Sequence, residues 1–197
     1  GARQTRMSPP IPLLPALRSL PLAGNLALVA LAVATAALTV RLWPQWRSNP
    51  DLSHGFFMPL LFPLLLHESR SGTARYIRPG GAGGIGLAAL LGGALLALFA
   101  AGLYAAAVDW SHALVNVMLT LSLTLFSVAA IAVFSRDSVR LLAFNWPAVV
   151  AAALWLLATP IPPGTYTRLT LTLQLWVSEG VLRTLHLLGI AAIRHGN

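Results

Sequence analysis

Residues 83–134, GGIGLAALLGGALLALFAAGLYAAAVDWSHALVNVMLTLSLTLFSVAAIAVF, decide the fold class of this chain. They comprise two apolar runs, Gly83 to Val108 and Ala113 to Phe134, separated by a tetrapeptide that holds Asp109, the one charged residue of the stretch. A helix crosses a bilayer with about 20 apolar residues, and both runs reach that length. The stretch therefore predicts two membrane-spanning helices joined by a short loop.

The remainder of the chain has the same apolar character. Over all 197 residues, 57% of the side chains are hydrophobic and 9% are charged, whereas soluble domains have roughly 45–50% and 25%. This composition excludes a soluble domain, and it excludes a disordered chain, which would need low hydrophobicity and high charge. We predict an all-α fold: a polytopic integral membrane helical bundle with about five transmembrane helices and one amphipathic helix.

Three further apolar runs supply the other predicted crossings: Ala23 to Leu42, Gly55 to Leu66 and about Val139 to Thr159. The second of these runs is short and contains Pro59 and Pro63, so it predicts either a kinked, tilted span or a re-entrant hairpin. The arginine distribution favours the span, because a hairpin would leave the arginines that follow it on the outer side of the membrane.

Polar side chains interrupt the last stretch, Thr165 to Ile193. Glu179 and Arg183 have the i, i+4 spacing and the order that pair opposite charges on one helix face. The stretch therefore predicts an amphipathic helix. A strand is the alternative, since Thr167 to Leu175 alternates polar and apolar residues.

Arginine sets the predicted orientation in the membrane. All 13 basic residues are arginines, the net charge is +8, and the arginines are scattered between apolar runs, so we predict no nucleic-acid binding. With five crossings, most of the loop arginines lie on the side of the N-terminus, which predicts a cytoplasmic N-terminus. We predict a Pro/Arg-rich cytoplasmic leader, residues 1–22, and a single transmembrane domain, residues 23–197. The arginines on the N-terminal side are Arg3, Arg6, Arg18, Arg70, Arg75, Arg78, Arg136 and Arg140, and those on the outer side are Arg41 and Arg47.

The types of residue present limit the chemistry. The chain has no cysteine, which excludes a disulfide and a cysteine nucleophile within these residues. The five histidines are far apart in sequence and lack the spacing of a zinc site, and there is no serine-nucleophile elbow. We predict no catalytic residue in this chain, no metal site and no cofactor.

One histidine stands at a predicted membrane edge. Trp43 and Trp46 form an interfacial belt after the first span, and Ser53-His54-Gly55 precedes the short Pro-broken run. Ionisable residues at such an edge are candidates for function. The alternative is that His54 caps a helix or anchors it among the headgroups.

Two blocks of sequence resemble a known family. Trp46, followed by NPDLSHGFFMPL at 49–60, is similar to the signature of the exosortase/archaeosortase family, in which a Trp and a short polar loop precede an early transmembrane helix. A second block resembles the stretch that leads to the catalytic region of that family. It consists of Pro160-Ile161-Pro162, Leu173-Gln174, Leu187-Leu188-Gly189-Ile190 and Arg194-x-Gly196-Asn197. The blocks stand in the family's order and at about its separation, with apolar runs between them, so the resemblance extends over nearly the whole chain.

The resemblance implies a multipass cysteine protease and transpeptidase, a hydrolase, of the bacterial inner membrane. Its partners would be membrane lipid and exported proteins that end in a PEP-CTERM-type signal: a short motif, a membrane helix and a basic tail. The family's Cys, Arg and His are expected beyond Asn197, which makes this chain an inactive fragment. The candidate rim and substrate-groove residues are Ser53, His54, Gly55, Gln174, Arg183, Gly196 and Asn197.

Two other functions stay open from the residues alone. The chain could be a small transporter or channel component, in which Glu179, Arg183 and His186 line a polar path. It could also be a non-catalytic membrane subunit. A downstream cysteine in the same reading frame would favour the protease.

Overall fold

The computed structural model describes Pro15, Leu17 and residues 20–71, 81–136, 138–160 and 163–190. Most of the predicted leader and the predicted site residues Gly196 and Asn197 lie outside these residues. The chain divides into two compact units, residues 1–160 and residues 161–197. The prediction of a single transmembrane domain from residue 23 to residue 197 stays a prediction.

The described residues are mainly helical and contain no extended strand. Three of the helices are long and apolar enough to cross a membrane, namely Leu22–Ser48, Gly83–Ala107 and Ala113–Phe134. The prediction of an all-α membrane bundle is therefore confirmed. The helices of the first unit are α1 (Leu22–Ser48), a 3₁₀ helix (Pro50–Phe57), α2 (Met58–Glu68), α3 (Gly81–Ala107), α4 (Ala113–Phe134), α5 (Trp146–Ala153) and a second 3₁₀ helix (Leu154–Leu157), and the second unit holds α6 (Pro163–Leu187).

The short run with two prolines forms part of a longer helical stretch. The 3₁₀ helix passes directly into α2, so that Pro50 to Glu68 is helical throughout. At the rise of 3₁₀ and α helices, this stretch measures about 30 Å, close to the thickness of a bilayer core. Pro59 stands in the first turn of α2, and Pro63 lies inside the helix, where its missing N–H removes the hydrogen bond to the carbonyl of Pro59. The re-entrant hairpin is wrong, because the stretch contains no turn.

The last apolar run of the first unit forms a shorter helix than predicted. Hydropathy predicts a span from Val139, but α5 begins at Trp146. The Asn145 side chain accepts a hydrogen bond from the backbone N–H of Ala148 at 3.3 Å, and Pro147 occupies the first turn. Before them, Arg140 has a φ of 48° and turns the chain. These local signals start the helix later than apolar composition alone would.

Helix α4 is the centre of the first unit, because α1, α3 and α5 all pack on it. Helix α3 presents small buried residues to α4, and the Ser122 hydroxyl donates a hydrogen bond to the backbone oxygen of Ala94 at 2.7 Å. Small residues allow such close approach of membrane helices. The small buried residues of α3 are Ala94, Ala97, Ala101 and Ala105.

Side-chain contacts divide the loops of the first unit between two ends. At the Trp46 end, α1 finishes beside Trp110 of the α3–α4 loop and beside Ala158, which follows α5. At the Ser69 end, Asn145 Nδ2 donates to the Ser69 backbone oxygen at 2.7 Å, and Phe134 accepts from the chain that leads to α5. The loops predicted to lie outside the cell thus share the Trp46 end.

The second unit contains one long helix. Residues Pro163–Leu187 form α6, which confirms the predicted helix and excludes the strand alternative for 167–175. The helix ends before the predicted Ile193, because Gly189 adopts a φ of 73°. There the backbone N–H groups of Gly189 and Ile190 donate to the carbonyls of His186 and Leu185, both at 3.0 Å. This is a Schellman motif, which satisfies the last carbonyls of the helix.

Candidate functional site

The 3₁₀ helix after α1 places three of the predicted site residues. The Asn49 side chain accepts a hydrogen bond from the backbone N–H of Asp51 at 3.1 Å, and Pro50 occupies the first helical position. A capping side chain and a proline at this point start a helix immediately. The 3₁₀ helix therefore brings Ser53, His54 and Gly55 back beside the end of α1.

Gly55 lies directly against the buried indole of Trp46. A Cβ atom added at Gly55 would stand within 2.5 Å of Trp46 Cδ1 and Cε2, which is closer than real Cβ atoms approach other atoms. Trp46 itself is 1% exposed. The close approach of the two residues therefore requires glycine at position 55.

Trp46 and His54 both hold the end of the helix that follows α5. Trp46 Nε1 donates a hydrogen bond to the backbone oxygen of Ala158 at 2.7 Å. His54 Nε2 lies 2.8 Å from the backbone oxygen of Leu157. The last carbonyls of a helix have no partner within it, and these two side chains satisfy them. We call this group of residues, with Gly55, the Trp46 cluster.

Aromatic rings surround the Trp46 cluster on one side. The ring of Phe56 packs edge-on against Trp43 at a centroid distance of 4.9 Å and against Trp46 at 5.9 Å. Below them, Phe62 packs edge-on against Trp155 at 5.9 Å. Ser53 and His54 remain exposed, while Gly55 is buried. The buried part of the cluster is thus held by packing and hydrogen bonds, and the side chains of Ser53 and His54 are exposed on its surface.

The contact of His54 determines which ring nitrogen is free. A backbone carbonyl can only accept a hydrogen bond, so the proton of the neutral ring sits on Nε2. In that tautomer Nδ1 carries the lone pair and can accept a hydrogen bond from another molecule. The carbonyl of Leu157 therefore orients the imidazole with its accepting nitrogen available.

Two of the predicted site residues, Gln174 and Arg183, lie on α6. Gln174 and Arg183 are nine residues apart, about 2.5 helical turns, so they occupy opposite faces. Arg183 Nε donates to Glu179 Oε1 at 2.9 Å, and these side chains are 76% and 55% exposed. The predicted Glu179–Arg183 pair is present, and an exposed pair of this kind contributes only about 0.3 kcal/mol.

Sequence reasoning did not identify the partners of the Trp46 cluster. Leu157 and Ala158 contribute backbone oxygens, which have no signature in the sequence. A second missed contact joins Arg41 of α1 to Asn116 of α4, with Arg41 Nε donating to Asn116 Oδ1 at 2.8 Å. The sequence does contain a sign of this contact. Arg41 and Asn116 each stand alone within an apolar run, and polar residues in a membrane need partners.

Among the residues that the structure describes, no group of three or more His, Asp or Glu side chains could hold a metal ion. The polar groups of the Trp46 cluster are instead two N–H donors, both bonded to carbonyls, and the His54 Nδ1 lone pair. This arrangement can orient a bound peptide through a hydrogen bond.

The comparisons with known proteins bear on the same residues. A family model described as transmembrane exosortase matches residues 46–197 and so begins at Trp46. Neither the curated proteins nor the solved structures contain a match to this chain. The matched region holds the whole Trp46 cluster and most of the chain. This chain therefore belongs to the transmembrane exosortase family.

Proposed function

We propose that this chain is the scaffold and part of the substrate groove of a membrane cysteine protease/transpeptidase. Its substrates would be exported proteins that carry a C-terminal signal of the PEP-CTERM type. The observation that carries the proposal is the Trp46 cluster, in which residues of the first family-like block hold the backbone just before Pro160, where the second block begins.

The proposed reaction needs a group that this chain lacks. A thiolate attacks the peptide carbonyl, the C–N bond breaks as the departing nitrogen takes up a proton, and a thioester forms while the C-terminal part of the substrate leaves as an amine. Water or an acceptor amine then cleaves the thioester and restores the thiol. Donors or a cation stabilise the oxyanion during the attack. Because the chain contains no cysteine, we propose that the nucleophile, with an Arg and a His, is supplied by residues beyond Asn197.

His54 is the residue of this chain that we place beside the substrate. It is exposed, its ring is held by the Leu157 carbonyl, and its Nδ1 is free to accept a hydrogen bond. We propose that it accepts one from a peptide N–H of the sorting signal. Ser53, the neighbouring exposed side chain, would border the same groove.

The test is processing of a tailed reporter by the complete reading frame. We expect His54→Ala to lower the processed fraction about fivefold, the effect of one hydrogen bond of about 1 kcal/mol. His54→Gln keeps an amide donor for the Leu157 carbonyl and an amide oxygen that can accept the same hydrogen bond from the substrate, so it should be less impaired than His54→Ala. Immunoblots of substrate, product and enzyme measure both processing and abundance.

Two controls make the processing result specific. His67→Gln changes an exposed histidine at the Ser69 end and should leave processing unchanged. Residues 1–197 alone should produce no cleavage. Full processing by His54→Ala would contradict the proposed contact of His54 with the substrate, and cleavage by residues 1–197 or a downstream frame without cysteine would overturn the proposed function.

The proposed location is the bacterial inner membrane, with several crossings and a cytoplasmic N-terminus. Support comes from the two ends of the first unit. Among the residues that the structure describes, the Ser69 end carries three arginines with one acidic residue, and the Trp46 end carries two arginines with two acidic residues. They are Arg70, Arg136, Arg140 and Glu68 at the first end, and Arg41, Arg47, Asp51 and Asp109 at the second. Loops rich in arginine stay in the cytoplasm, so the Trp46 end would face outward.

Cysteine labelling tests this orientation, because the chain has no cysteine of its own. Ser48 and Ser71 are exposed at opposite ends of the bundle, and serine to cysteine changes little in size. An impermeant maleimide added to intact spheroplasts should label Ser48→Cys and label Ser71→Cys only after lysis. Labelling of both from outside would contradict the proposed crossing by residues 50–68.

A further inference from the structure

An apolar groove with a cationic end runs along the first unit. It has a volume of about 520 Å³ and lies between α1 and α3, which pack on α4 from two sides. Ala30, Ala34, Leu95 and Leu98 are among its apolar walls, and Arg41 stands at one end. Ligand pockets commonly have this size and combine apolar walls with one or two polar anchors.

Arg41 is held in place while part of its guanidinium stays available. Its Nε donates to the buried Asn116 at 2.8 Å, and one Nη2 hydrogen is donated to the backbone oxygen of Trp110. The guanidinium carbon also lies 5.5 Å from the centroid of the Trp110 ring. An arginine has five N–H donors, so three remain for a ligand. Within the described part of the chain, no carboxylate pairs with Arg41.

The length of the groove indicates what it holds. From Ala30 to Arg41, α1 rises about 16 Å, which is half the thickness of a bilayer core of about 30 Å. Trp43 and Trp110 stand at the level of Arg41, as tryptophans do at a membrane interface. The groove therefore starts at headgroup depth and ends near the midplane. A membrane helix of a substrate needs the whole thickness, whereas one lipid chain needs one leaflet.

We infer that this groove binds an acyl chain of a net-negative phospholipid, whose phosphate is held by Arg41. The inference goes beyond the proposed function and does not depend on it. Asp109 lies in the adjacent loop, and its carboxylate accepts a hydrogen bond from the Ser111 hydroxyl. That hydrogen bond lowers the pKa of Asp109. Asp109 therefore stays ionised at neutral pH. Among the described residues, it forms no ion pair with Arg41, but its negative charge weakens the attraction of the site for an anion.

The lipid that remains bound to the purified protein measures binding in the groove directly. The chain of residues 1–197 is reconstituted in nanodiscs with equal amounts of phosphatidylglycerol and phosphatidylcholine, and native mass spectrometry identifies the lipid that remains bound. We expect phosphatidylglycerol to be enriched. Arg41→Gln should lower its retention about fivefold, the effect of one basic residue near an anionic lipid. Arg47→Gln removes the same charge from an exposed position on α1 outside the groove and should change nothing.

A second variant tests the groove without touching Arg41. Ala34→Phe places a ring in the empty volume, keeps the Arg41–Asn116 hydrogen bond, and should lower the retention of both lipids. Asp109→Asn should raise the enrichment of phosphatidylglycerol. Equal retention of the two lipids by the unchanged chain, equal effects of Arg41→Gln and Arg47→Gln, or full retention by Ala34→Phe would each overturn the inference.

Discussion

Replacing Trp46 with alanine is expected to lower the free energy of unfolding by about 3–5 kcal/mol, the usual cost of removing a large buried aromatic side chain. The indole is almost completely buried and packs against Gly55 and Phe56. Its loss leaves a cavity and removes the donor for the Ala158 carbonyl. Reversible unfolding in mixed detergent micelles, followed by circular dichroism, measures the change.

Trp46→Phe separates the hydrogen bond from the packing. Phenylalanine keeps a ring beside Gly55 but leaves the Ala158 carbonyl without its donor, which should cost about 1–3 kcal/mol. Trp43→Ala is the matched control, because Trp43 lies on the same helix, is half exposed and has one edge contact with Phe56. That contact is worth about 1 kcal/mol. Equal losses for Trp43→Ala and Trp46→Ala would contradict the central role of the buried indole.

The sequence predicts the long helices well, because a bilayer constrains them in length and composition. Helix α4 has the predicted ends, Ala113 and Phe134, since a charged loop precedes it and polar residues follow it. Helix α1 continues to Ser48, beyond the predicted end at Leu42, and includes Pro44. Apolar composition ends at the membrane interface, whereas the helix continues until Asn49 turns the chain.

The sequence predicts one part of the candidate site and not the other. Ser53, His54 and Gly55 are adjacent in the chain, so a motif can identify them together. Their partners at Leu157 and Ala158 are about 100 residues away and act through backbone oxygens, which any residue type would supply. Hydropathy and spacing cannot reveal such a pairing. The structure instead explains why a tryptophan and a glycine belong to the same motif.

Gly55→Ala should lower the free energy of unfolding by about 1–3 kcal/mol, the usual cost of overpacking. The added methyl would overlap the Trp46 indole, and the indole has no space to retreat because Nε1 is bonded to Ala158. The same micelle unfolding experiment measures the loss. Gly92→Ala is the matched control, since nothing lies within 4 Å of a Cβ at Gly92 of α3, and an unstrained alanine in a helix stabilises by about 0.4–1 kcal/mol.

A double-mutant cycle shows whether the cost of Gly55→Ala arises at Trp46. In the Trp46→Ala background the obstructing ring is gone, so Gly55→Ala should cost almost nothing, and the coupling between the positions should equal most of the single-variant loss. Additive losses would mean that Gly55 is needed for its backbone and not for its contact with the indole. Coupling between the two positions would show that Gly55 is needed for its close approach to Trp46. That approach would then explain why the family-like motif combines a tryptophan with Ser53-His54-Gly55.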